Sequence, residues 1–223
     1  MTVAEAFAEV RARIDAAARD AGREPGEVTL VVVTKSVGVD AIRDVLDAGA
    51  TDLGENRAQD LVAKARALGD AGDPVPRWHF IGRLQRNKVH TVAPYVALWQ
   101  SVDREELAAE IGRRAPGSRI LVQVNVAGEE QKGGCAPSDT AALVAACRAH
   151  GLAVEGLMTV PPEAGDPTPI FVTLRRLSDE LGLGTCSMGM SGDYERAIRA
   201  GATMVRVGSA IFGPRPADSD ARR

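Results

Sequence analysis

The sequence alternates along its length between apolar runs typical of β-strands and amphipathic segments typical of helices. After an opening helical pattern over residues 2–21, the predicted strands cover eight segments: 28–35, 51–55, 77–82, 95–102, 119–126, 152–158, 185–190 and 203–212. Strict alternation implies parallel strands with right-handed crossovers. Eight such units in about 200 residues predict a single (β/α)₈ TIM-type barrel with an extra N-terminal helix, and a doubly wound sheet is the competing layout.

Chain length and charge narrow the class of protein. A chain of 223 residues fits one sizeable core, so we predict one barrel domain over residues 1–215 and a solvated tail over residues 216–223. The net charge of −3 and the isoelectric point near 5.7 disfavour a protein that depends on electrostatic attraction to nucleic acid or to anionic lipid. A small-molecule ligand is therefore favoured.

The cysteine content and the N-terminal segment indicate the compartment. Three cysteines, Cys135, Cys147 and Cys186, are odd in number and lack CxxC spacing, so neither a disulfide framework nor a zinc site is indicated. The first 22 residues carry charges every few positions, and no segment has the long apolar run of a membrane span. We expect a cytoplasmic protein without membrane contact.

A lysine follows the first predicted strand, in the segment LVVVTKSVG. Lys35 lies at the carboxyl end of that strand, where the loops of a barrel gather around the active face. Most lysines at strand ends are simply solvated. A partly desolvated amine would instead be able to form a Schiff base with a carbonyl compound, so the choice depends on what lies nearby.

The segments after the last two strands predict an anion site near this lysine. SMGMSGD follows strand seven and contains Ser191, and Gly208 with Ser209 follows strand eight. Backbone N–H groups and hydroxyls at helix starts bind anions, and the loops after strands seven and eight of barrels commonly hold phosphate. The alternative is two glycine turns that merely close the barrel. Because strand eight lies beside strand one, the combination favours a phosphorylated aldehyde such as pyridoxal 5′-phosphate (PLP).

An arginine interrupts the apolar pattern of strand eight. Arg206 lies between Val205 and Val207, and a guanidinium in a buried strand is costly unless it has acceptors. One interpretation is a structural ion pair with an internal carboxylate such as Glu55. The other is that Arg206 faces the pyridine nitrogen of the cofactor.

Together these segments resemble the YggS/PROSC family of pyridoxal phosphate homeostasis proteins, whose fold is similar to the barrel domain of alanine racemase (PLP fold type III). The matching segments are VVVTKSV, DLGENRAQD, WHFIGRLQRNK, SVDREELAAEI, VQVNVAGEEQKGG, EGLMTVPP and SMGMSGDYERAIRAGATMVRVGSAIFGPR. They run from residue 31 to residue 215, and the last one is highly specific.

The resemblance implies specific roles for residues around the predicted mouth of the barrel. It makes Lys35 the Schiff-base lysine and places Arg206 at the pyridine nitrogen. The other implied cofactor-binding residues are Asn56, His79, Met190, Ser191, Gly208 and Ser209. It also adds Lys132 as a second, transient contact, although a solvated lysine is the default at that position. His79 fits a buried core histidine as well.

Two functions follow from a PLP barrel: a carrier or a small amino-acid racemase. A racemase needs proton-moving groups on both faces of its substrate, and Tyr95 and Tyr194, the two tyrosines of the chain, are not placed to supply the opposing base. The barrel fills almost the whole chain, which leaves no second domain for that role. We expect a non-enzymatic, monomeric protein of vitamin B6 homeostasis that supplies PLP to apo-enzymes. A barrel that binds another phosphorylated molecule is a further alternative.

Overall fold

The computed structural model describes residues 1–129 and 131–214, and it contains a closed barrel of eight parallel strands. The strands, in chain order, are β1 (Thr29–Val33), β2 (Asp52–Glu55), β3 (Arg77–Phe80), β4 (Val96–Val102), β5 (Arg119–Gln123), β6 (Ala153–Met158), β7 (Thr185–Ser187) and β8 (Met204–Val207). Each strand pairs with the next, and β1 pairs with β8 to close the barrel. The predicted TIM-type barrel is confirmed, and the doubly wound sheet, which is open, is excluded.

Helices surround the barrel and connect successive strands. In the described part of the chain they are α1 (Val3–Asp20), α2 (Val39–Asp47), α3 (Ala58–Ala71), α4 (Val89–Val92), α5 (Glu105–Arg114), α6 (Thr140–Ala149), α7 (Thr168–Glu180), α8 (Tyr194–Arg199) and α9 (Ser209–Phe212). None of these helices, within residues 1–129 and 131–214, has the length and apolar character needed to cross a membrane. The tail predicted for residues 216–223 lies outside the described residues.

The predicted N-terminal helix is α1, which packs on the outside of the barrel. A capping box starts it, because the Thr2 hydroxyl accepts from the Glu5 amide at 3.2 Å and the Glu5 carboxylate accepts from the Thr2 amide at 2.7 Å. Its buried face includes Val10 and Ile14 and packs against α2, α8 and α9. The apolar stripe of α1 is thus covered within the same chain.

Five predicted strands, β1, β3, β5, β7 and β8, end earlier than expected, and the backbone explains the last two. The last strand was predicted to reach residue 212, but β8 ends at Val207 and the apolar residues that follow form α9. Gly208 causes this change, because its ψ of −69° takes the backbone out of the β region. The seventh strand was predicted to reach residue 190, but the backbone of Gly189 turns at a φ of +93°. A side chain there would also lie 2.6 Å from the Ala197 Cβ.

The barrel interior contains an apolar layer and a polar layer. Residues of one strand face alternately inward and outward, and the outward set forms the main core with the helices. The inward apolar cluster is small and comprises Val31, Leu98, Leu121, Met158 and Met204. Further inward positions hold buried polar side chains, namely Asp52, His79, Gln100, Ser187 and Arg206.

Candidate functional site

Lys35 lies in a tight turn at the carboxyl end of β1. It is half-buried, two residues beyond the end of the strand. The Val37 amide donates to the Thr34 carbonyl at 3.0 Å, which closes the turn. Ser36 adopts a φ of +62°, the only positive φ of a non-glycine residue in the described ranges. Such backbone strain occurs where the surrounding structure holds it, and here it accompanies the predicted cofactor lysine.

A buried ion pair holds the start of this turn. Lys64, on α3, pairs with Glu55 at the end of β2, and its Nζ donates to the Thr34 carbonyl at 2.7 Å. The Thr34 hydroxyl donates to Glu55 Oε1 at 3.0 Å. Glu55 is fully buried. The residue that precedes Lys35 is therefore anchored through its carbonyl and its side chain.

Asn56 lies at the same end of the barrel, directly after β2. Its amide donates to Glu55 Oε2 at 3.1 Å, so the carboxylate that anchors Thr34 also anchors Asn56. The loop after β3 packs closely on this residue, because a Cβ at Gly82 would lie 2.1 Å from the Asn56 carbonyl oxygen. The half-buried Asn56 thus has a rigid place at the mouth of the barrel.

Arg206 is buried in β8, with its guanidinium inside the barrel. Nη1 donates to Ser187 Oγ and Nη2 donates to the Thr159 carbonyl, each at 2.7 Å. Burial lowers the pKa of Arg206 to about 10, so the group stays cationic at neutral pH. The sequence-based alternative of an ion pair with Glu55 is wrong, because Glu55 pairs with Lys64.

The loops after β7 and β8 meet beside β1. The amides of Gly208 and Ala210 both donate to Ser191 Oγ at 3.3 Å, so Ser191 and the start of α9 form one polar cluster. Ser209 is exposed at this end. A Cβ at Gly208 would lie 3.0 Å from the Val33 carbonyl oxygen, and the glycine therefore brings this cluster against the end of β1. Met190 belongs to the same loop and accepts at its carbonyl from the Tyr194 amide at 2.9 Å.

His79 lies deeper than the mouth. Its β3 position pairs with Gly54 and Leu98, and its side chain is buried between Asp52 and Gln100. His79 Nε2 is 3.0 Å from Asp52 Oδ1, and Nδ1 is 2.7 Å from Gln100 Nε2. Asp52 is the first residue of β2, at the opposite end from the mouth. The structure therefore does not bring His79 together with Lys35 at the strand ends.

Asp52 is the buried carboxylate at that lower end. Burial acts to raise its pKa, but hydrogen bonds from His79, Arg77 and Thr51 outweigh burial and hold the pKa well below its ordinary value. Arg77 binds it in a bidentate manner, at 2.8 Å and 2.6 Å. Asp52 is therefore ionised at neutral pH.

Lys132 lies in the loop after β5, at the same end of the barrel as Lys35. Its Nζ donates to the Pro161 carbonyl at 2.7 Å and pairs with Glu129 Oε2 at 2.7 Å. The default of a solvated lysine is wrong, since the side chain is half-buried and bound to two acceptors. Its predicted contact with the cofactor would require it to leave these partners.

The two tyrosines lie outside the barrel interior. Tyr95 precedes β4, and its Oη accepts from Arg66 on α3 at 3.2 Å. Tyr194 is buried at the start of α8, with Arg13 of α1 stacked 5.7 Å from its ring centre. Burial raises the pKa of Tyr194. Tyr95 therefore contacts α3 and Tyr194 contacts α1.

The cysteines are unpaired thiols with structural surroundings. Burial raises the pKa of Cys147 to about 12 and that of Cys186 to about 11. Burial also raises the pKa of Cys135. These thiols are therefore poor nucleophiles at neutral pH.

Comparisons with known proteins place this chain in a family. A family model described as the N-terminal domain of alanine racemase matches residues 7–216. A pyridoxal phosphate homeostasis protein of Pseudomonas aeruginosa is 41% identical over 224 residues, which covers 96% of either chain. The structure of PipY from Synechococcus elongatus with PLP bound has a TM-score of 0.82 at 30% identity, over 95% of this chain and 100% of that chain.

This chain belongs to the pyridoxal phosphate homeostasis protein family. The resemblance stated from the sequence motifs is thereby confirmed. Alanine racemase from Corynebacterium glutamicum shares the barrel at 16% identity and a TM-score of 0.66, with 96% of this chain aligned to 62% of that one. That likeness shows the fold alone.

Sequence reasoning missed two residues of this homeostasis-family barrel, Ser187 and Gln100. Ser187 accepts from Arg206 and donates to Gln100 Oε1 at 2.7 Å. Both side chains are fully buried. The available signal was a polar residue at an inward position of an apolar strand, which occurs in TCS of β7 and in VALWQSV of β4.

Proposed function

We propose that this protein binds PLP at the carboxyl end of the barrel, holds it as a Schiff base with Lys35, and supplies it to apo-enzymes. The observation that carries the proposal is the full-length similarity to a relative whose structure contains PLP. This chain has a lysine at the carboxyl end of β1, and a buried arginine and a serine cluster on the neighbouring β7 and β8 segments. When bound, PLP supplies an aldehyde that condenses with an amine and releases one water.

The donor set fits the three functional groups of this cofactor. The amine of Lys35 suits the aldehyde, the guanidinium of Arg206 suits the ring nitrogen, and Ser191 with the amides of Gly208 and Ala210 suits the phosphate. Gly208 contributes by its lack of a side chain, since a Cβ would fill the space beside Val33. Asn56 and Met190 border the same end, and Ser209 opens α9 there.

Two features bear on the choice between a carrier and a racemase: the Arg206 guanidinium and the positions of the two tyrosines. A guanidinium only donates hydrogen bonds, and at a pKa of about 10 it remains protonated at neutral pH. A ring nitrogen that accepts from it stays unprotonated, which weakens the cofactor as an electron sink. The two tyrosines face α1 and α3, so neither supplies a base at the mouth. We therefore propose a carrier without turnover and not an amino-acid racemase.

The Schiff base is tested by absorbance near the visible edge, followed by borohydride reduction and peptide mass analysis. We expect the wild-type protein to show the absorbance and to retain the cofactor mass on the Lys35 peptide. Lys35→Ala loses both, whereas the matched control Lys88→Ala, at a lysine in the turn before α4, keeps both. A wild-type protein that stays colourless with added PLP contradicts the proposal and favours another phosphorylated ligand.

The carrier role is tested separately from binding. The loaded protein is mixed with an apo-enzyme that requires PLP, and recovery of that enzyme's activity is followed against an equal concentration of free PLP. The same protein is incubated with amino acids in deuterated water. We expect transfer of the cofactor and no exchange of the α-hydrogen. Exchange with turnover that depends on Lys35 would establish the racemase alternative.

A further inference from the structure

A continuous chain of hydrogen bonds crosses the barrel interior below the proposed cofactor site. Arg206 Nη1 donates to Ser187 Oγ at 2.7 Å, and Ser187 Oγ donates to Gln100 Oε1 at 2.7 Å. Gln100 Nε2 is 2.7 Å from His79 Nδ1, and His79 Nε2 is 3.0 Å from Asp52 Oδ1. The five residues come from five strands, and each is at least 95% buried.

The directions of the hydrogen bonds follow from the two ends of this series and from the orientation of the Gln100 amide. A guanidinium can only donate and an ionised carboxylate can only accept. Ser187 must therefore accept from Arg206, and its own hydrogen goes to Gln100 Oε1. Gln100 Nε2 then faces His79 Nδ1, and it also lies 3.1 Å from the Met204 sulfur, an acceptor that suits an amide N–H.

The state of His79 follows from the same argument. Because Gln100 donates to Nδ1, that nitrogen carries no proton, and the proton of a neutral ring is on Nε2, where it is donated to Asp52. Asp52 is held in turn by Arg77, whose side chain is mostly exposed at the lower end of the barrel. The chain thus starts at a buried cation and ends at a carboxylate, with all donors pointing the same way.

We propose that Ser187, Gln100 and His79 are positioning residues that hold the Arg206 guanidinium in place for the ring nitrogen of the cofactor. This inference rests on the proposed PLP site. Two acceptors, Ser187 Oγ and the Thr159 carbonyl, receive donors from Nη1 and Nη2, and a guanidinium carries five N–H donors in one plane. Because the Ser187 hydroxyl donates to Gln100, its oxygen is oriented to accept from Arg206. The bonds to Ser187 and to the Thr159 carbonyl then fix the plane of the guanidinium. Aligned hydrogen bonds also polarise one another in a buried site.

The first test measures the state of His79 by ¹⁵N NMR and does not depend on the cofactor. In the protein with His90→Gln and His150→Gln, His79 is the only histidine of the chain. We expect a neutral ring protonated on Nε2 at pH 7. A ring protonated on Nδ1, or on both nitrogens, overturns the proposed direction of the hydrogen bonds between Arg206 and Asp52.

The second test is a double-mutant cycle of Gln100→Met and Ser187→Ala. Its readouts are the PLP dissociation constant and the pH midpoint of the visible absorbance, which reports the environment of the bound ring. We expect Gln100→Met to weaken PLP binding about tenfold and to shift the midpoint, because a hydrogen bond to a charged group loses its support. In the Ser187→Ala background the same change should have little further effect, since Gln100 acts through Ser187.

A matched control makes the cycle decisive. Gln123→Met replaces a buried glutamine of β5 that donates to the Gly133 carbonyl. Gln123 does not take part in the hydrogen bonds that connect Arg206 to Asp52. It should leave the midpoint unchanged. Equal effects of Gln100→Met in both backgrounds, or none in either, overturn the proposal. Wild-type protein that cannot be trapped with PLP by borohydride instead contradicts the proposed function, whatever state His79 shows.

Discussion

Two buried cations in this barrel are held in opposite ways. Lys64 pairs with the carboxylate of Glu55 and also donates to the Thr34 carbonyl. Arg206 is bound by two neutral acceptors, Ser187 Oγ and the Thr159 carbonyl, and in the described ranges no carboxylate lies within ion-pair distance of it. The two side chains are similarly buried.

The difference supports the proposal that Lys64 serves structure and that Arg206 serves the ligand. A buried charge is costly unless it is paired. Lys64 is paired with Glu55, and it also holds the Thr34 carbonyl at the start of the Lys35 turn. For Arg206, the cost of removing the charged guanidinium from water exceeds what its neighbours restore, and its pKa is therefore lowered to about 10. Proteins tolerate such costs at functional sites, so Arg206 is the cation that we assign to a ligand.

The largest expected effect comes from breaking the ion pair. Glu55→Gln leaves the Lys64 ammonium buried without a counterion, and we expect the free energy of unfolding to fall by about 3–5 kcal/mol. Chemical denaturation measures this change. The double variant Glu55→Leu with Lys64→Met should recover most of the loss, because no charge is then left unpaired. A loss below about 1 kcal/mol for Glu55→Gln would contradict a structural role for this pair.

A smaller effect is expected at the carboxylate end of the Arg206 chain. Asp52→Asn should cost about 2 kcal/mol at pH 7, since it weakens the hydrogen bonds of an ionised carboxylate. Because the pKa of Asp52 is lowered in the folded protein, its contribution to stability is present above the ordinary value of about 4 and is lost as the pH falls through the folded value.

The measurement is therefore the difference in unfolding free energy between Asp52→Asn and wild type as a function of pH. We expect it to be constant from pH 7 to pH 5 and to narrow below about pH 4. The control is Asp40→Asn, whose carboxylate is fully exposed beside Arg43 and should change stability by less than about 0.5 kcal/mol. A difference that grows as the medium becomes more acidic would contradict the lowered pKa.

The smallest effect on stability is expected at Arg206 itself. Arg206→Met loses two hydrogen bonds but removes a desolvated charge, so we expect a change of about 1 kcal/mol or less in the free energy of unfolding. PLP binding, measured by titration, should weaken far more than stability does. A loss of more than about 3 kcal/mol in stability with unchanged PLP affinity would place Arg206 in the same structural class as Lys64.

Much of the fold was predictable because the signals are local. Apolar runs and helical patterns alternate, and this order alone favoured the eight-stranded barrel that the structure shows. The early end of β8 was harder to predict. Its apolar residues continue past Gly208, and only the backbone conformation of that glycine separates strand from helix.

The site was predicted in part, for a related reason. Strand number placed Lys35, Arg206 and the Gly208 segment at neighbouring positions, since β1 and β8 pair. A buried core histidine was one of the two interpretations of His79, and the structure agrees with it. Motif spacing states which strand a residue is on but not how far below the mouth its ring lies. The alternative of an ion pair between Arg206 and Glu55 was wrong, because the partners of buried polar residues on different strands cannot be read from sequence.

The sequence by itself determined the order of the elements, the family resemblance and the lysine at the end of the first strand. These depend on residue type and spacing along the chain, which are local properties. Tertiary structure alone decided that Glu55 forms an ion pair with Lys64. It also decided that hydrogen bonds connect Arg206 through Ser187 and Gln100 toward Asp52. Hydrogen-bond partners in a barrel are set by the stagger of strands distant in sequence, and that stagger exists only once the barrel has closed.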